Sequence, residues 1–255
     1  MLKIIKIGGG IIDNPAELTS FLKAFTQIEG PKILVHGGGK GASKMLEQLG
    51  IEPKMVDGRR ITDQPTLDVV TGLYAGNLNK NIVAQLQSFG TNAVGLSGAD
   101  GNVIKGNVRP VKTIDYGFVG DITLEGINVD FLQLLLDNGY TPVLCAITHN
   151  GNAQLLNTNA DTIASTVAEA LAVKNEVQLN FCFDKIGVLR DVNDDSTLIP
   201  MINKELYLEL KSEGIIFEGM LPKLDNAFRV IENGVKQVTL VHAKNINSDV
   251  KTILC

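Results

Sequence analysis

The sequence predicts an α/β fold, a three-layer αβα sandwich around a central, mainly parallel sheet. Short β-rich runs alternate with longer helical patterns along the 255 residues. Two of the predicted strands, 33–35 and 142–146, are continuous apolar runs, as expected when helices cover both faces of a sheet. A chain of this length can form one large or two small domains with a substantial core.

Hydrophobic periodicity places the elements in chain order, because strands are short apolar runs and helices repeat their apolar residues every three to four positions. Strands are predicted at 2–7, 32–36, 92–96, 142–147, 176–183 and 237–242, with a polar hairpin at 103–106 and 118–122. Helices are predicted at 14–28, 39–50, 64–88, 128–138, 159–172, 203–212 and 221–233. A division after Ala172 gives an amino-terminal lobe, 1–172, and a carboxy-terminal lobe, 173–255.

Composition and charge exclude several classes of protein. The net charge of -5 argues against a protein that tracks a nucleic-acid backbone, which needs a basic excess. The three cysteines, Cys145, Cys182 and Cys255, are widely separated, so reduced thiols in the cytoplasm are expected. No apolar run approaches the length of a membrane span, and the first residues do not resemble an export signal.

Two glycine triplets are the most informative feature of the chain. Lys6-Ile7-Gly8-Gly9-Gly10 and His36-Gly37-Gly38-Gly39-Lys40 each stand where a predicted strand ends and a helical pattern begins. Glycine lets a ligand approach the backbone amides, and a helix amino terminus favours phosphate or carboxylate. Two such loops predict a reaction that joins two anions.

Several catalytic motifs are absent from the sequence. It contains no H-E-x-x-H zinc motif, no G-x-S-x-G nucleophile elbow and no Walker G-x-x-x-x-G-K-[ST] loop. The segment 37–42 does satisfy a relaxed dinucleotide fingerprint, G-x-G-x-x-A, and Asp57 follows at a suitable distance. A nicotinamide-linked oxidoreductase therefore stays open as an alternative, although it leaves the Lys6 loop unexplained.

Over nearly its whole length the chain resembles the amino acid kinase family. The segments that carry the resemblance are, in order, Lys6-Ile7-Gly8-Gly9, His36-Gly37-Gly38-Gly39, Gly58-Arg59-Arg60-Ile61-Thr62, Val94-Gly95-Leu96-Ser97-Gly98, Leu156-Asn157-Thr158-Asn159-Ala160-Asp161, Asp184-Lys185-Ile186-Gly187-Val188 and Gly219-Met220-Leu221-Pro222-Lys223. The R-x-T and N-x-N-A-D elements, together with HGGG, resemble the branch of the family whose acceptor is an acylglutamate.

The resemblance implies ATP-dependent phosphorylation of the γ-carboxylate of N-acetyl-L-glutamate to an acyl phosphate, on the route to ornithine and arginine. Mg²⁺ would accompany ATP and be held mainly by the phosphates, with no metal site of the protein's own. An acceptor carboxylate is ionised at pH 7, so no general base is needed, and the barrier is electrostatic. Lys40 and Arg59 add positive charge, which leaves N-succinylglutamate or another N-acylglutamate open as the substrate. A family member acting on UMP, carbamate, aspartate or isopentenyl phosphate, and a non-catalytic ligand sensor, also stay open.

The resemblance also assigns roles to residues. Lys6 and Lys223 would flank the transferring phosphoryl group, with Asp161 holding both lysines in place. Amides at Gly8, Gly9 and Gly38 would face phosphate. The acceptor would bind at Gly38, Gly39, Arg60 and Asn157, while Asn159 is expected to cap the following helix. ATP would contact Asp184, Lys185, Gly187, Val188, Leu189, Ile215, Ile216 and Phe217.

Two further expectations come from departures from the family pattern and from the position of Lys6 in the sequence. Phe183 replaces the small hydroxyl residue that usually precedes the aspartate, and the stretch 173–183 is longer than usual, so a reshaped nucleotide pocket is expected. Lys6 lies close to the start of the sequence, which leaves no room for the extra amino-terminal helix of arginine-inhibited hexamers. A homodimer without arginine feedback is therefore expected.

Overall fold

The computed structural model describes residues 1–56, 58–216 and 220–255. Its strands are β1 (Leu2–Ile7), β2 (Lys32–His36), β3 (Met55–Val56), β4 (Arg59–Arg60), β5 (Ala93–Leu96), β6 (Ile104–Val108), β7 (Gly120–Ile127), β8 (Thr141–Cys145), β9 (Ile147–His149), β10 (Leu155–Asn157), β11 (Val177–Phe183), β12 (Met201–Ile202), β13 (Gln237–His242) and β14 (Thr252–Leu254). Its α-helices are α1 (Gly9–Ile12), α2 (Pro15–Thr26), α3 (Gly41–Gln48), α4 (Gln64–Thr71), α5 (Asn79–Ser88), α6 (Val129–Asp137), α7 (Ala160–Ala172), α8 (Lys204–Ser212) and α9 (Leu221–Glu232).

Eight strands form the central sheet, in the order β12-β14-β13-β11-β1-β2-β8-β5. Among the strand pairs of this sheet that the structure describes, only β13 with β14 runs antiparallel. Ile4 and Ile33 face one apolar core, shared with α7 and α9, while Ile5 and Leu34 face the other, shared with α2 and α5. The predicted αβα sandwich with a mainly parallel sheet is therefore confirmed.

A second sheet, in the order β10-β9-β6-β7, contains the predicted polar hairpin as β6 and β7. The predicted strand 142–147 is divided between the two sheets. It leaves the central sheet at Cys145, and Ile147 begins β9 of the small sheet. β9 pairs with β10, and the chain continues from β10 into α7.

Two predicted helices differ from those observed. The pattern at 64–88 is helical throughout, but a π-helix at Gly72–Leu78 separates α4 from α5. The helix predicted at 39–50 begins only at Gly41, because Gly39 has φ +59°, which a right-handed helix cannot continue. The short helix α1 was not predicted, since a glycine-rich start has low helix propensity.

The carboxyl ends of β1, β2 and β11 meet at one edge of the central sheet, where ligands bind in open α/β folds. Both glycine triplets follow directly from the ends of β1 and β2, and Phe183 is the last residue of β11. The three cysteines are free thiols, two of them buried. Within the described ranges, no helix combines the length and apolar character needed to span a bilayer.

Candidate active site

Lys6 and Asp161 form an ion pair at this edge of the sheet. Lys6 is near the end of β1, and Asp161 is in the first turn of α7, which Asn159 caps by accepting a hydrogen bond from the Thr162 amide at 3.0 Å. The Lys6 Nζ lies 2.7 Å from Asp161 Oδ1, and the lysine side chain is only 16% exposed. The expected cap at Asn159 is confirmed, and a shielded cation lies beside both glycine loops.

Lys223 reaches the same region from the first turn of α9, but it is exposed and has a different partner. Its Nζ lies 4.9 Å from the centroid of the Phe183 ring, which is cation–π geometry. Asp161, expected to hold both lysines, is paired with Lys6 alone among the ion pairs of the described residues. The Phe183 ring, an attractive surface for a cation, accounts for the difference. One cavity is nevertheless lined by both lysines together with Gly8, Gly9 and Asp184.

The two glycine triplets pack against each other. A Cβ added to Gly9 would lie 2.8 Å from the Gly39 Cα, so a side chain at position 9 would force the two loops apart. Over the described part of the chain, the amides of Gly9, Gly38 and Gly39 donate to no protein acceptor. They are therefore free to donate to a ligand.

The amino terminus of α3, by contrast, is already occupied by a carboxylate of the protein. Asp13 accepts hydrogen bonds from the Lys40 amide at 2.9 and 3.0 Å and from the Gly41 amide at 3.2 Å. A dinucleotide pyrophosphate would need these amides, so the fingerprint at 37–42 does not mark a dinucleotide site. Asp57, the other part of that hypothesis, lies outside the described residues.

A cavity of about 270 Å³ extends from the glycine loops and contains the predicted acceptor residues. Its lining includes Lys6, Gly38, Gly39, Arg59, Arg60, Tyr74, Asn157 and Asp161. Arg60 is 8% exposed; its Nη2 donates to Ser43 Oγ at 3.0 Å, while its buried Nη1 has no partner among residues 1–56, 58–216 and 220–255. A buried guanidinium nitrogen without an acceptor is costly, and a ligand carboxylate would supply one.

Asn157 belongs to the same wall as Arg60. Its Nδ2 donates to Thr62 Oγ1 at 3.0 Å, and the Thr62 hydroxyl donates to the Arg60 carbonyl at 2.8 Å. This chain of hydrogen bonds joins residues that are far apart in sequence. It fixes the Asn157 side chain beside the cavity.

Tyr74 was not predicted as a site residue, because its position in the helical pattern is typical of a core residue. It lies in the π-helix, only 6% exposed, and its ring fills the space that a side chain at Gly38 would need. Burial raises the pKa of the Tyr74 hydroxyl, and the neighbouring Arg60 charge partly offsets this effect. π-Helices are frequent at functional sites, but a single sequence does not reveal them.

A separate cavity of about 370 Å³ contains most of the predicted nucleotide contacts: Lys185, Gly187, Val188, Leu189, Ile215 and Ile216, together with Arg190 and Met220. The backbone of Val188 is already used, since its amide donates to Thr252 Oγ1 and its carbonyl accepts from the Ile199 amide. Apolar side chains form most of the lining of this cavity, beside the charged side chains of Lys185, Arg190 and Asp191. Phe217, also predicted here, lies outside the described residues.

Hydrogen bonds and an ion pair between polar side chains join α9 to α7 and thereby fix the position of Lys223. The Asn226 Nδ2 donates to Ser165 Oγ at 2.8 Å. Glu169, 3% exposed, accepts from Arg229 at 2.8 Å and from Asn233 at 2.6 Å. The first turns of these helices carry Asp161 and Lys223, so the same contacts hold both charges at the site.

Comparisons with known proteins match the chain over nearly its whole length. A model of the amino acid kinase family matches residues 1–242. Acetylglutamate kinase from Phocaeicola vulgatus is 53% identical over 253 residues, which are 99% of this chain and 98% of that protein. Acetylglutamate kinase from Methanopyrus kandleri is 36% identical over 249 residues, 96% of each chain.

Solved structures have the same fold. The structure of smu.665 from Streptococcus mutans UA159 has a TM-score of 0.76 at 26% identity, covering 99% of this chain and 98% of that one. N-acetylglutamate synthase from Neisseria gonorrhoeae, complexed with coenzyme A and N-acetyl-glutamate, has a TM-score of 0.82 at 18% identity. It covers 100% of this chain and 59% of that one, and at this identity the likeness is one of fold alone.

Proposed function

The chain belongs to the amino acid kinase family, and from that premise we propose that it transfers the γ-phosphoryl group of ATP to the γ-carboxylate of N-acetyl-L-glutamate, in arginine biosynthesis. The enzyme is a kinase. The observation that carries the acceptor assignment is Arg60, which lines the cavity that also contains Lys6 and whose buried Nη1 has no partner among the described residues. That guanidinium would bind the α-carboxylate of the acceptor, and Asn157 would bind a neighbouring polar group.

The reaction forms a bond from a γ-carboxylate oxygen to the γ-phosphorus and breaks the bond from that phosphorus to the bridging oxygen of ADP. The carboxylate is already ionised, so no proton has to move. Negative charge accumulates on the equatorial oxygens of the phosphoryl group. We assign its stabilisation to Lys6, Lys223 and the free amides of Gly9 and Gly38.

ATP would place its base against the apolar wall of Val188, Leu189 and Ile216, with its phosphates toward Gly8 and Asp184. The apolar lining and size of that cavity fit a nucleobase. Mg²⁺, when bound with ATP, would neutralise phosphate charge. The phosphates and water would supply its ligands, since magnesium tends to retain several waters.

The test is ADP release measured against a panel of acceptors: N-acetylglutamate, glutamate, aspartate, carbamate, UMP and isopentenyl phosphate. Hydroxylamine added in parallel converts an acyl phosphate to a hydroxamate. We expect N-acetylglutamate to give both ADP and hydroxamate, and Lys223→Met to abolish both. Lys174→Met is the control, because this exposed lysine pairs with Asp130 and lines neither cavity that contains Lys6 and the glycine loops, and it should leave both products unchanged. ADP release that no acceptor stimulates would refute the kinase assignment.

A second acceptor, N-succinylglutamate, is favoured by one observation. Arg59, as well as Arg60, lines the acceptor cavity and could meet the extra carboxylate of a succinyl group. Lys40, the other cation behind this hypothesis, is exposed, and the cavity lining does not include it. Equal or better turnover of N-acetylglutamate in a side-by-side comparison would exclude the succinyl substrate.

Three broader assignments complete the proposal. The 1–172 lobe would bind the acylglutamate and mediate dimerisation, and the 173–255 lobe would bind ATP. The family resemblance supports a homodimer, which sedimentation velocity tests directly, and a monomer or hexamer would contradict it. The three free thiols fit a cytoplasmic enzyme, where they would stay reduced.

A further inference from the structure

A buried hydrogen-bond network lies beneath the second glycine triplet. His36, with no exposed surface, has its Nδ1 2.9 Å from the Gly37 carbonyl oxygen and its Nε2 3.0 Å from Asn79 Nδ2. We propose that His36 and Asn79 are positioning residues that fix the Gly37–Gly38 peptide with its N–H toward the reacting anions. The inference rests on the proposed function, in which that amide binds the acceptor carboxylate or the phosphoryl group.

The direction of each hydrogen bond follows from the chemistry of the partners. A carbonyl oxygen can only accept, so His36 Nδ1 carries a proton and donates to Gly37. The Asn79 Nδ2 also donates to the Val143 carbonyl at 2.9 Å, and its Oδ1 accepts from Lys80 Nζ at 3.1 Å. The amide is thereby fixed with its nitrogen toward His36, whose Nε2 must accept and carry no proton.

This arrangement sets the orientation of the Gly37–Gly38 peptide. A trans peptide is planar, so its C=O and N–H point in opposite directions. With the Gly37 carbonyl held toward the buried imidazole, the Gly38 N–H points away from it. Gly37 and Gly38 both line the acceptor cavity, and the Gly38 amide donates to no acceptor in the described ranges. The imidazole therefore orients a donor that it does not touch.

Two features that the reaction leaves unexplained belong to this network. A Cβ at Gly95 would come within 2.0 Å of Asn79 Oδ1, so this glycine of the V-G-L-S-G segment leaves room for the asparagine. Asn79 itself directly follows the π-helix that carries Tyr74. Burial lowers the pKa of His36 to about 4, which keeps the ring neutral and able to accept at Nε2 near pH 7.

Two substitutions of His36 distinguish the role of Nδ1 from that of Nε2. His36→Asn places an amide nitrogen near the position of Nδ1 and can still donate to Gly37, whereas His36→Gln places its amide near the position of Nε2. We expect His36→Gln to lower kcat about 10- to 100-fold with KM for ATP little changed, since a misplaced oxyanion donor costs up to about 10³. His36→Asn should recover kcat to within about threefold of the wild type, by keeping the Gly37 hydrogen bond.

Thr239→Val is the matched control, because it removes a buried hydrogen bond, from Gln178 at 3.1 Å, elsewhere in the same sheet. It should lower thermal stability and leave kcat unchanged. Equal kcat values for the Asn and Gln variants of His36 would overturn the proposal, as would a Gln variant that behaves like the Thr239 control.

A measurement on the unaltered enzyme covers the case in which a His36 variant does not fold. A long-range ¹H–¹⁵N spectrum of enzyme labelled at histidine reports the protonated nitrogen of each ring, with His149 and His242 as internal references. We expect the His36 ring to carry its proton on Nδ1 from pH 8 down to about pH 5. A proton on Nε2, or a doubly protonated ring at pH 7, would overturn the proposal.

Discussion

The buried imidazole of His36 predicts that the protein loses stability as the pH falls. Burial lowers the pKa of His36 from 6.5 to about 4 in the folded state, so the folded protein excludes a proton that the unfolded chain takes up. The free energy of unfolding is therefore unaffected by the titration of His36 above pH 6.5, and it decreases progressively as the pH falls toward 4.

The size of the effect follows from the two pKa values. At about 1.4 kcal/mol per pKa unit, the difference between 6.5 and about 4 sets a ceiling of about 3 kcal/mol. Integrated between pH 7 and pH 5, the loss in free energy of unfolding is about 2 kcal/mol. That is a large part of the roughly 5–15 kcal/mol by which domains are stable.

Denaturant unfolding of the wild type and of His36→Asn at pH 7, 6 and 5 measures the effect. Carboxylates that titrate in this range are the same in both proteins, so their contribution cancels in the difference. The free-energy gap between the two proteins should change by about 2 kcal/mol from pH 7 to pH 5, with the wild type losing more. A constant gap would show that His36 does not exclude a proton, and would refute the reasoning.

Three further predictions test the site directly. Arg60→Lys should raise the KM for the acylglutamate about 10- to 100-fold by removing a two-point contact, with KM for ATP unchanged; an equal rise in both would contradict the assignment. Gly9→Ala should lower kcat and stability by forcing apart the Gly39 contact, whereas Gly10→Ala, where nothing lies within 4 Å, should match the wild type in activity and melting temperature. Phe183→Leu should lower kcat about two- to tenfold by releasing the Lys223 ammonium, while Phe183→Tyr should preserve it.

Much of the fold could be predicted from the sequence because the deciding signals are local. The runs at 2–7 and 237–242 match β1 and β13 at both ends, since short apolar runs in an α/β chain have few other conformations available. Arg60 and Asn157 could be chosen by their resemblance to a family motif. Their meeting through Thr62 required the folded chain.

Other parts of the site depend on contacts that no local pattern encodes. The Asp13 carboxylate that caps α3 is 27 residues from the Lys40 amide. The π-helix that carries Tyr74 has the same apolar pattern as an ordinary helix. The partner of Lys223 depends on how α9 packs against α7. At that interface Glu169 accepts hydrogen bonds from Arg229 and Asn233. Tertiary packing decided each of these features.

The place of β1 in the sheet has a consequence for the order in which the molecule assembles during synthesis. β1 pairs with β2 on one side and with β11 on the other, so one of its edges waits for residues 177–183 to leave the ribosome. Until then the nascent chain presents an open strand that contains Ile4 and Ile5, which is a template for pairing with other chains. The strand that brings Lys6 to the site is therefore also a segment that stays open to aggregation until β11 has been synthesised.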